Sequence, residues 1–136
     1  MPKVFTSETQ KTGEIGENIA VRFLVKQGFL ILDRNYTKKW GEIDIVAEKA
    51  DKIYFIEVKS MSKLNLDNVS HGTNDIYRPE DNMHPHKLKR LSRAIQTYLL
   101  SRKIGGEKEW QVDLLVVFMD IKNKKARVKV VRDIVL

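Results

Sequence analysis

Four charged residues within one short segment have side chains suited to phosphodiester chemistry. The segment GEIDIVAEKADKIYFIEVKS, residues 41–60, carries Glu42 and Asp44 near its start and Glu57 and Lys59 near its end. Carboxylates bind hard divalent cations, and an ammonium group can stabilise negative charge that develops on a phosphate. Metal-assisted hydrolysis of a phosphodiester bond requires this combination of groups.

The elements that must position these groups are two strands joined by a tight turn within KADK. Such a turn sets Asp44 opposite Glu57 and Glu42 opposite Lys59 on one face of the hairpin. Facing carboxylates ordinarily destabilise a sheet by about 0.2–1 kcal/mol. A solvent-washed face, with Lys59 paired to Glu42, is one interpretation. Because Phe55 precedes Glu57 on the same face, we expect a covered carboxylate pair that needs a proton or a cation such as Mg²⁺ or Mn²⁺.

Composition narrows the class of protein. The chain has 136 residues, of which 42% are hydrophobic, and this predicts a single domain over residues 1–136. It has no cysteine, so any metal must be held by carboxylates, carbonyls or histidines. The net charge of +7 favours a polyanionic partner, nucleic acid first. The sequence shows no apolar run long enough to span a bilayer and no secretory signal at its start, which predicts a cytoplasmic protein without a membrane partner.

Periodicity predicts the element order α-β-β-β-α-β-β. The expected elements are a helix over residues 12–27 with Thr12 as its N-cap and Gly28 as its stop, a strand from about Phe29 that exits through TKKWG, the two strands of the hairpin, a helix over residues 87–103, and final strands WQVDLLVVFMDI and ARVKVVRDIVL. The run at residues 114–118 indicates a doubly buried strand. Residues 60–85 predict a long functional or mobile loop. The fold class is therefore a mixed α/β sheet of about five strands flanked by helices.

Basic residues of the second helix and of the last turn are expected to contact phosphates: Lys87, Lys89, Arg90, Arg93, Lys122, Lys124 and Lys125. The sequence shows no motif that would contact base edges. Recognition of nucleic-acid shape or backbone is therefore favoured over recognition of base sequence. Tyr36 and Trp40 could stack on an unpaired base, although packing against the protein is the commoner role for such residues.

The Asp…Glu-x-Lys pattern resembles the core of the restriction-endonuclease-like nucleases, written PD-(D/E)xK. More closely, the order of GEIGENIAVRFLVKQGFLILDRNY, GEIDIVA, IYFIEVK, HKLKRLSRAIQTYL and VDLLVV resembles the YraN family of small endonuclease-like proteins, which are related in fold to archaeal Holliday-junction resolvases. The resemblance covers nearly the whole chain and implies a restriction-endonuclease-like fold.

Carried onto this chain, the resemblance implies that Asp44 and Glu57 are metal ligands, with the carbonyl of Val58 as a further ligand. It makes Lys59 the catalytic lysine and brings Glu17 to the site from the first helix. From periodicity alone, Glu17 is equally well interpreted as a surface glutamate near a helix start.

Two further acids, Glu42 and Asp113, are expected to support the site. Asp113 at the start of a buried strand is alternatively a structural acid bonded to backbone amides. The function implied is a metal-dependent nuclease acting on DNA, including branched or structured DNA, with a homodimer as one possible form. The alternatives are a non-catalytic nucleic-acid-binding or scaffold module that retains the nuclease fold, and a protein-interaction domain that uses residues 60–85.

Overall fold

The computed structural model describes residues 8–62 and 84–136, and in it one five-stranded sheet carries a helix on each face. The elements are α1 Glu8–Lys26, β1 Leu30–Lys38, β2 Gly41–Lys49, β3 Lys52–Ser62, α2 Pro85–Ser101, β4 Trp110–Asp120 and β5 Lys125–Val131. This confirms the predicted order α-β-β-β-α-β-β. Most of the predicted loop over residues 60–85 lies outside the described residues, and β3 continues to Ser62.

The strands follow the order β1-β2-β3-β4-β5 across the sheet. Neighbours are antiparallel except for β3 and β4, which are parallel. A parallel pair needs a crossover connection, and α2 lies within that connection. β4 is buried from Val112 to Asp120, which confirms the doubly buried strand predicted around residues 114–118.

Helix α1 ends one residue before its predicted end and begins earlier than predicted. It starts at Glu8, and Thr12 is therefore inside the helix instead of capping it. Glutamate, glutamine and lysine in the first turns favour helix, so the preceding polar residues extend it. At the other end Gly28 has φ of +94°, and the N–H of Phe29 donates to the carbonyl of Leu24. These features form a glycine-terminated helix end.

Three other boundaries differ from the sequence-based expectation. β1 continues through Lys38, so the predicted exit loop shrinks to a two-residue turn before β2. α2 begins at Pro85, because proline suits the first turn of a helix, and it ends at Ser101. β5 ends at Val131 and does not run to the end of the chain.

Two apolar clusters pack on opposite faces of the sheet. The α2 cluster joins that helix to the sheet through Val46, Phe55, Leu91, Ile95 and Tyr98 among others. The α1 cluster includes Ala20, Leu24, Ile45, Ile56 and Leu115. Since both faces of the central strands are covered, an acid on those strands loses much of its hydration. None of the described helices has the length and apolar character that crossing a membrane requires.

Candidate active site

The hairpin of β2 and β3 has the register that its sequence predicts. Ile45 lies opposite Ile56, and Lys49 lies opposite Lys52. The two residues between the strands both have positive φ, 50° and 64°, as expected of the tight turns that match the twist of a hairpin. The register predicted from the turn is therefore confirmed for these pairs.

Past Ile45 and Ile56 the two strands separate. β2 continues along β1 as far as Gly41, whereas β3 continues along β4 as far as Ser62. Over that stretch the described residues include no backbone pair between β2 and β3. This opening between β2 and β3 is named the fork, and Asp44 and Glu57 are the first residues beyond the last pair.

A side chain bridges the fork where backbone pairing ends. The backbone N–H of Val58 donates to Oδ2 of Asp44 at 2.8 Å, so a carboxylate replaces the carbonyl that a continued ladder would supply. Ile43 and Val46 belong to the same core cluster although they are three residues apart. Strict alternation would place them on opposite faces, so β2 departs from regular strand geometry around Asp44.

Asp44 and Glu57 form a buried pair of carboxyl groups, with exposed fractions of 6% and 7%. Burial, followed by the charge of Asp44 and a hydrogen bond to it, raises the pKa of Glu57 to about 9. Lys87 opposes this effect, because its Nζ lies 3.7 Å from Oε1 of Glu57, and the charge of Glu42 adds to it. Burial and the neighbouring acid therefore favour the protonated form of Glu57, or a cation bound beside it.

An open cleft of about 610 Å³ adjoins the fork. Its lining comes from α1, β3 and the start of α2 and consists of Thr12, Gly13, Val58, Lys59, Ser60, Ser62 and Lys87. Lys59 and Lys87 thus lie at one cleft, next to the carboxyl pair. The hydroxyl-bearing residues were missed by sequence reasoning, because serine and threonine at strand ends and in helices carry no distinguishing signal.

Glu17 is buried on α1, with an exposed fraction of 7%, so it is not the surface glutamate of the alternative interpretation. Its helix lies directly against β3, since a Cβ added at Gly16 would overlap Oγ of Ser60. Within residues 8–62 and 84–136, however, no three histidine, aspartate or glutamate side chains come together as a metal-binding group. The site is therefore centred on Asp44 and Glu57.

Glu42 does not take the predicted place opposite Lys59. Its backbone partner is Thr37 of β1, because β2 and β3 have already separated at this point. The charge of Glu42 still acts on Glu57 and raises the pKa of that carboxyl group. Glu42 is thus near the pair, although the predicted strand pairing with Lys59 is wrong.

Asp113 has the structural contacts of the alternative interpretation. It is buried, and its Oδ1 accepts hydrogen bonds from the backbone N–H of Asp133 at 2.9 Å and from Nε2 of Gln111 at 2.7 Å. These bonds fasten the C-terminal segment to β4. The contacts are those of a structural acid, and Asp113 is not among the residues that line the cleft.

The predicted phosphate-binding residues are all exposed: Lys87, Lys89, Arg90, Arg93, Lys122, Lys124 and Lys125. Ser62 of β3 lies opposite Met119 of β4, so the turn after β4 is at the same end of the sheet as the fork. Trp40 donates from Nε1 to Oγ1 of Thr97, and the ring of Tyr36 packs edge-on against Tyr98. Both aromatic residues therefore pack on α2, in agreement with the commoner role.

The molecule is a small mixed α/β protein in which two buried carboxyl groups meet where neighbouring strands separate. Residues 16–131 match the model of uncharacterised protein family UPF0102. A UPF0102 protein of Campylobacter fetus subsp. fetus is 38% identical over 102 residues, which cover 75% of this chain and 79% of the relative. The UPF0102 protein of Alkaliphilus oremlandii is 37% identical over 119 residues, 88% and 92% of the two chains. That of Moorella thermoacetica is 35% identical over 127 residues, 93% and 97%. The chain belongs to the UPF0102 family, which is the YraN-like family that its motifs predict.

Proposed function

We propose that this protein is a Mg²⁺-dependent or Mn²⁺-dependent nuclease that hydrolyses phosphodiester bonds in DNA, including branched or structured DNA, on a restriction-endonuclease-like fold. The observation that carries the proposal is the buried contact between Asp44 and Glu57 at the fork. We expect the protein to act in the cytoplasm, with a homodimer as one possible form.

The donor groups at the fork suit a hard divalent cation. Two like-charged carboxylates in a desolvated position repel each other unless one is protonated or a cation lies between them. Magnesium is commonly bound through one or two carboxylates, with water and phosphate oxygens completing its coordination. Asp44, Glu57 and the carbonyl of Val58 would hold the ion, and a group of three acids is not needed.

Lys59 and Lys87 would act on the substrate from the cleft. A bound divalent cation would lower the pKa of a water molecule and polarise the phosphodiester. The ammonium group of Lys59 would orient the attacking water and stabilise negative charge that develops on the phosphate. Lys87, at the start of α2, would bind a substrate phosphate once the cation neutralises Glu57 in its place.

The charge distribution favours a nucleic-acid substrate. The basic residues of α2 and of the turn after β4 are exposed, and that turn lies at the fork end of the sheet. Exposed lysine and arginine contacts with phosphates give affinity that depends little on sequence. We therefore expect selection by DNA structure, not by base sequence.

Cleavage assays on duplex, single-stranded and four-way-junction DNA, with Mg²⁺ and with Mn²⁺, test the proposal. Wild type should cut at least one substrate only when a cation is present. Asp44→Ala, Glu57→Ala and Lys59→Ala should each abolish cutting. Wild type that is inert on all three substrates with both cations would contradict the proposal.

A second candidate is a non-catalytic nucleic-acid-binding module. The contact between Lys87 and Glu57 favours it, because a cation supplied by the protein already compensates the acidic pair. This candidate predicts salt-sensitive DNA binding that persists in Asp44→Ala and Lys59→Ala, with no cleavage by wild type.

A further inference from the structure

Strand β5 carries a second array of cations, separate from the cleft. Lys125, Arg127 and Lys129 occupy alternate positions of this strand, and all three are exposed. β5 is also an edge of the sheet, so neighbouring β4 lies on one side of it only. These three residues are named the β5 ladder.

The register of the sheet places the β5 ladder on the same face as Lys59. Lys129 lies opposite Val116 of β4, and Val116 lies opposite Lys59 of β3. Directly opposite residues in a sheet share a face, so these three form one row across three strands. Two interstrand spacings separate Lys129 from Lys59, a distance of about 10 Å. Val128, between Arg127 and Lys129, and Val130, after Lys129, pack into the α1 cluster on the other face.

The chemistry of the β5 ladder suits a phosphate backbone. Arg127 and Lys129 lie opposite Phe118 and Val116, which carry no charge, so no ion pair forms across those positions of the strand pair, whereas Lys125 lies opposite the acid Asp120. Residues two apart on a strand are separated by about 7 Å, similar to the spacing of successive phosphates along an extended nucleic-acid strand. Regularly spaced cationic side chains on an exposed strand can therefore follow a backbone without reading bases.

The β5 ladder and the cleft are two distinct positive tracks. β4 lies between them, and its Val116 and Phe118 are buried apolar residues with exposed fractions of 0% and 6%. A single DNA strand bound in the cleft beside Lys59 cannot also lie along the length of β5. The two sugar-phosphate backbones of a DNA duplex lie side by side, so they can occupy both tracks.

We propose that the β5 ladder binds the second strand of duplex DNA, the strand whose partner occupies the cleft. This inference rests on the proposed function, because it assumes that one DNA strand is bound beside Lys59. The competing explanation is that charges on an edge strand only prevent sheet-to-sheet aggregation. That explanation predicts no effect of the ladder on DNA binding.

Fluorescence anisotropy with a duplex and with one of its single strands tests the inference, over about 50–200 mM salt in EDTA. Each phosphate contact contributes about 0.9 to the slope of log affinity against log salt concentration. The triple variant Lys125→Gln, Arg127→Gln, Lys129→Gln should bind the duplex more weakly, with a slope smaller by about 2–3. Its affinity for the single strand should stay close to that of wild type.

The matched control removes the same charge elsewhere. Arg22, Lys26 and Lys103 are exposed residues on α1 and after α2, and their triple change to glutamine should leave the duplex slope unchanged. Lys129→Gln alone should lower the slope by about 1, which provides the test if the triple variant aggregates in light scattering. The double variant Lys125→Arg, Lys129→Arg keeps the charge and should bind as wild type does.

The possible failures are distinguishable. A wild-type protein without salt-sensitive duplex binding would overturn this inference, whereas the proposed function fails only if wild type cuts none of the three DNA substrates with either cation. Wild type and the ladder variant binding the duplex equally would overturn the inference alone. Equal losses in the ladder variant and the matched control, or equal losses for duplex and single strand, would also overturn it.

Discussion

The acidic residues at the two ends of the β2–β3 hairpin lie in opposite environments. At the turn end, Nζ of Lys108 contacts Oε2 of Glu48 at 2.7 Å and Oδ1 of Asp51 at 2.6 Å. The hydrogen bond from Lys108 lowers the pKa of Asp51, so the charged form is favoured. At the fork end, burial and then Asp44 raise the pKa of Glu57, so the charged form is disfavoured. At the turn end Lys108 pairs with both carboxylates, whereas at the fork Lys87 offsets the buried pair only in part.

This difference separates charges that are paired within the chain from buried charges that are compensated only in part. The turn-end cluster is partly exposed, and exposed ion pairs contribute little to stability. The fork-end pair is buried, and it costs stability when both groups are ionised. A protein tolerates such a cost most readily at a binding or catalytic site, where pKa values are commonly perturbed.

The largest expected effect separates the lysines of the two ends. Lys59→Met should reduce DNA cleavage by at least about 100-fold, because the charge that stabilises the transition state is lost. Lys108→Met at the turn end should cleave as wild type does. Initial rates on the substrate that wild type cuts best give the comparison. Equal rates for the two variants would remove Lys59 from the proposed chemistry.

A second comparison uses one glycine near each end of the hairpin, Gly41 at the fork and Gly106 near the turn. A Cβ at Gly41 would overlap the carbonyl oxygen of Arg90, whereas a Cβ at Gly106 would meet nothing within 4 Å. Gly41→Ala should therefore destabilise the protein by about 1–3 kcal/mol, since α2 must move away from β2. Gly106→Ala should be neutral or slightly stabilising. Urea unfolding measures both, and a neutral Gly41→Ala would show that α2 does not pack as described.

The third prediction concerns how the stability of the folded protein depends on pH. The carboxyl group of Glu57 has a pKa of 4.5 when unperturbed and about 9 in the folded, metal-free protein. Between those values the folded chain binds a proton that the unfolded chain has lost, so the contribution of Glu57 to stability falls as pH rises from 4.5 to about 9. Glu57→Gln should remove this fall and raise the Tm by a few degrees at pH 8, and by less at pH 5.

The control for this prediction is Glu48→Gln, which should not raise the Tm at pH 8, because Glu48 is ion-paired with Lys108. All samples need EDTA, so that adventitious cations do not occupy the fork. A Tm of Glu57→Gln below that of wild type at pH 8 would show that the carboxyl pair is stabilising as it stands.

The smallest effect is expected at the turn end itself. Asp51→Asn should change the Tm by less than about 3 °C, because its carboxylate is exposed. Any loss should shrink when salt is added, since exposed ion pairs are screened. Differential scanning calorimetry at low and high salt measures this. A salt-independent loss as large as that of Gly41→Ala would mean that the two ends do not differ as argued.

Sequence reasoning predicted the hairpin more accurately than the surroundings of its acids. Alternation along residues 41–60 and the turn within KADK determined the register, and Phe55 indicated that the carboxyl pair is covered. The start of α1 was missed because polar residues before Thr12 extend helices without an apolar pattern. The extension of β1 was missed because the residues after Tyr36 are as frequent in loops as in edge strands.

The fork could not be predicted from the sequence. Residues 41–44 have a strand pattern whether they pair with β1 or with β3, and the choice depends on tertiary packing. The predicted pairing of Glu42 with Lys59 was wrong for this reason. Helical periodicity likewise left Glu17 undecided, because it lies at the margin of the apolar face, and its burial depends on how closely Gly16 brings α1 to β3.

The central claim is that Asp44 and Glu57 form a cation site, and calorimetric titration with Mn²⁺ tests it most directly. Wild type should bind one ion per chain, and so should Asp51→Asn, the same substitution made at the turn end. Asp44→Asn should show no binding, because one of the two carboxylate ligands is gone. Absence of binding by wild type, or equal binding by wild type and Asp44→Asn, would contradict the account.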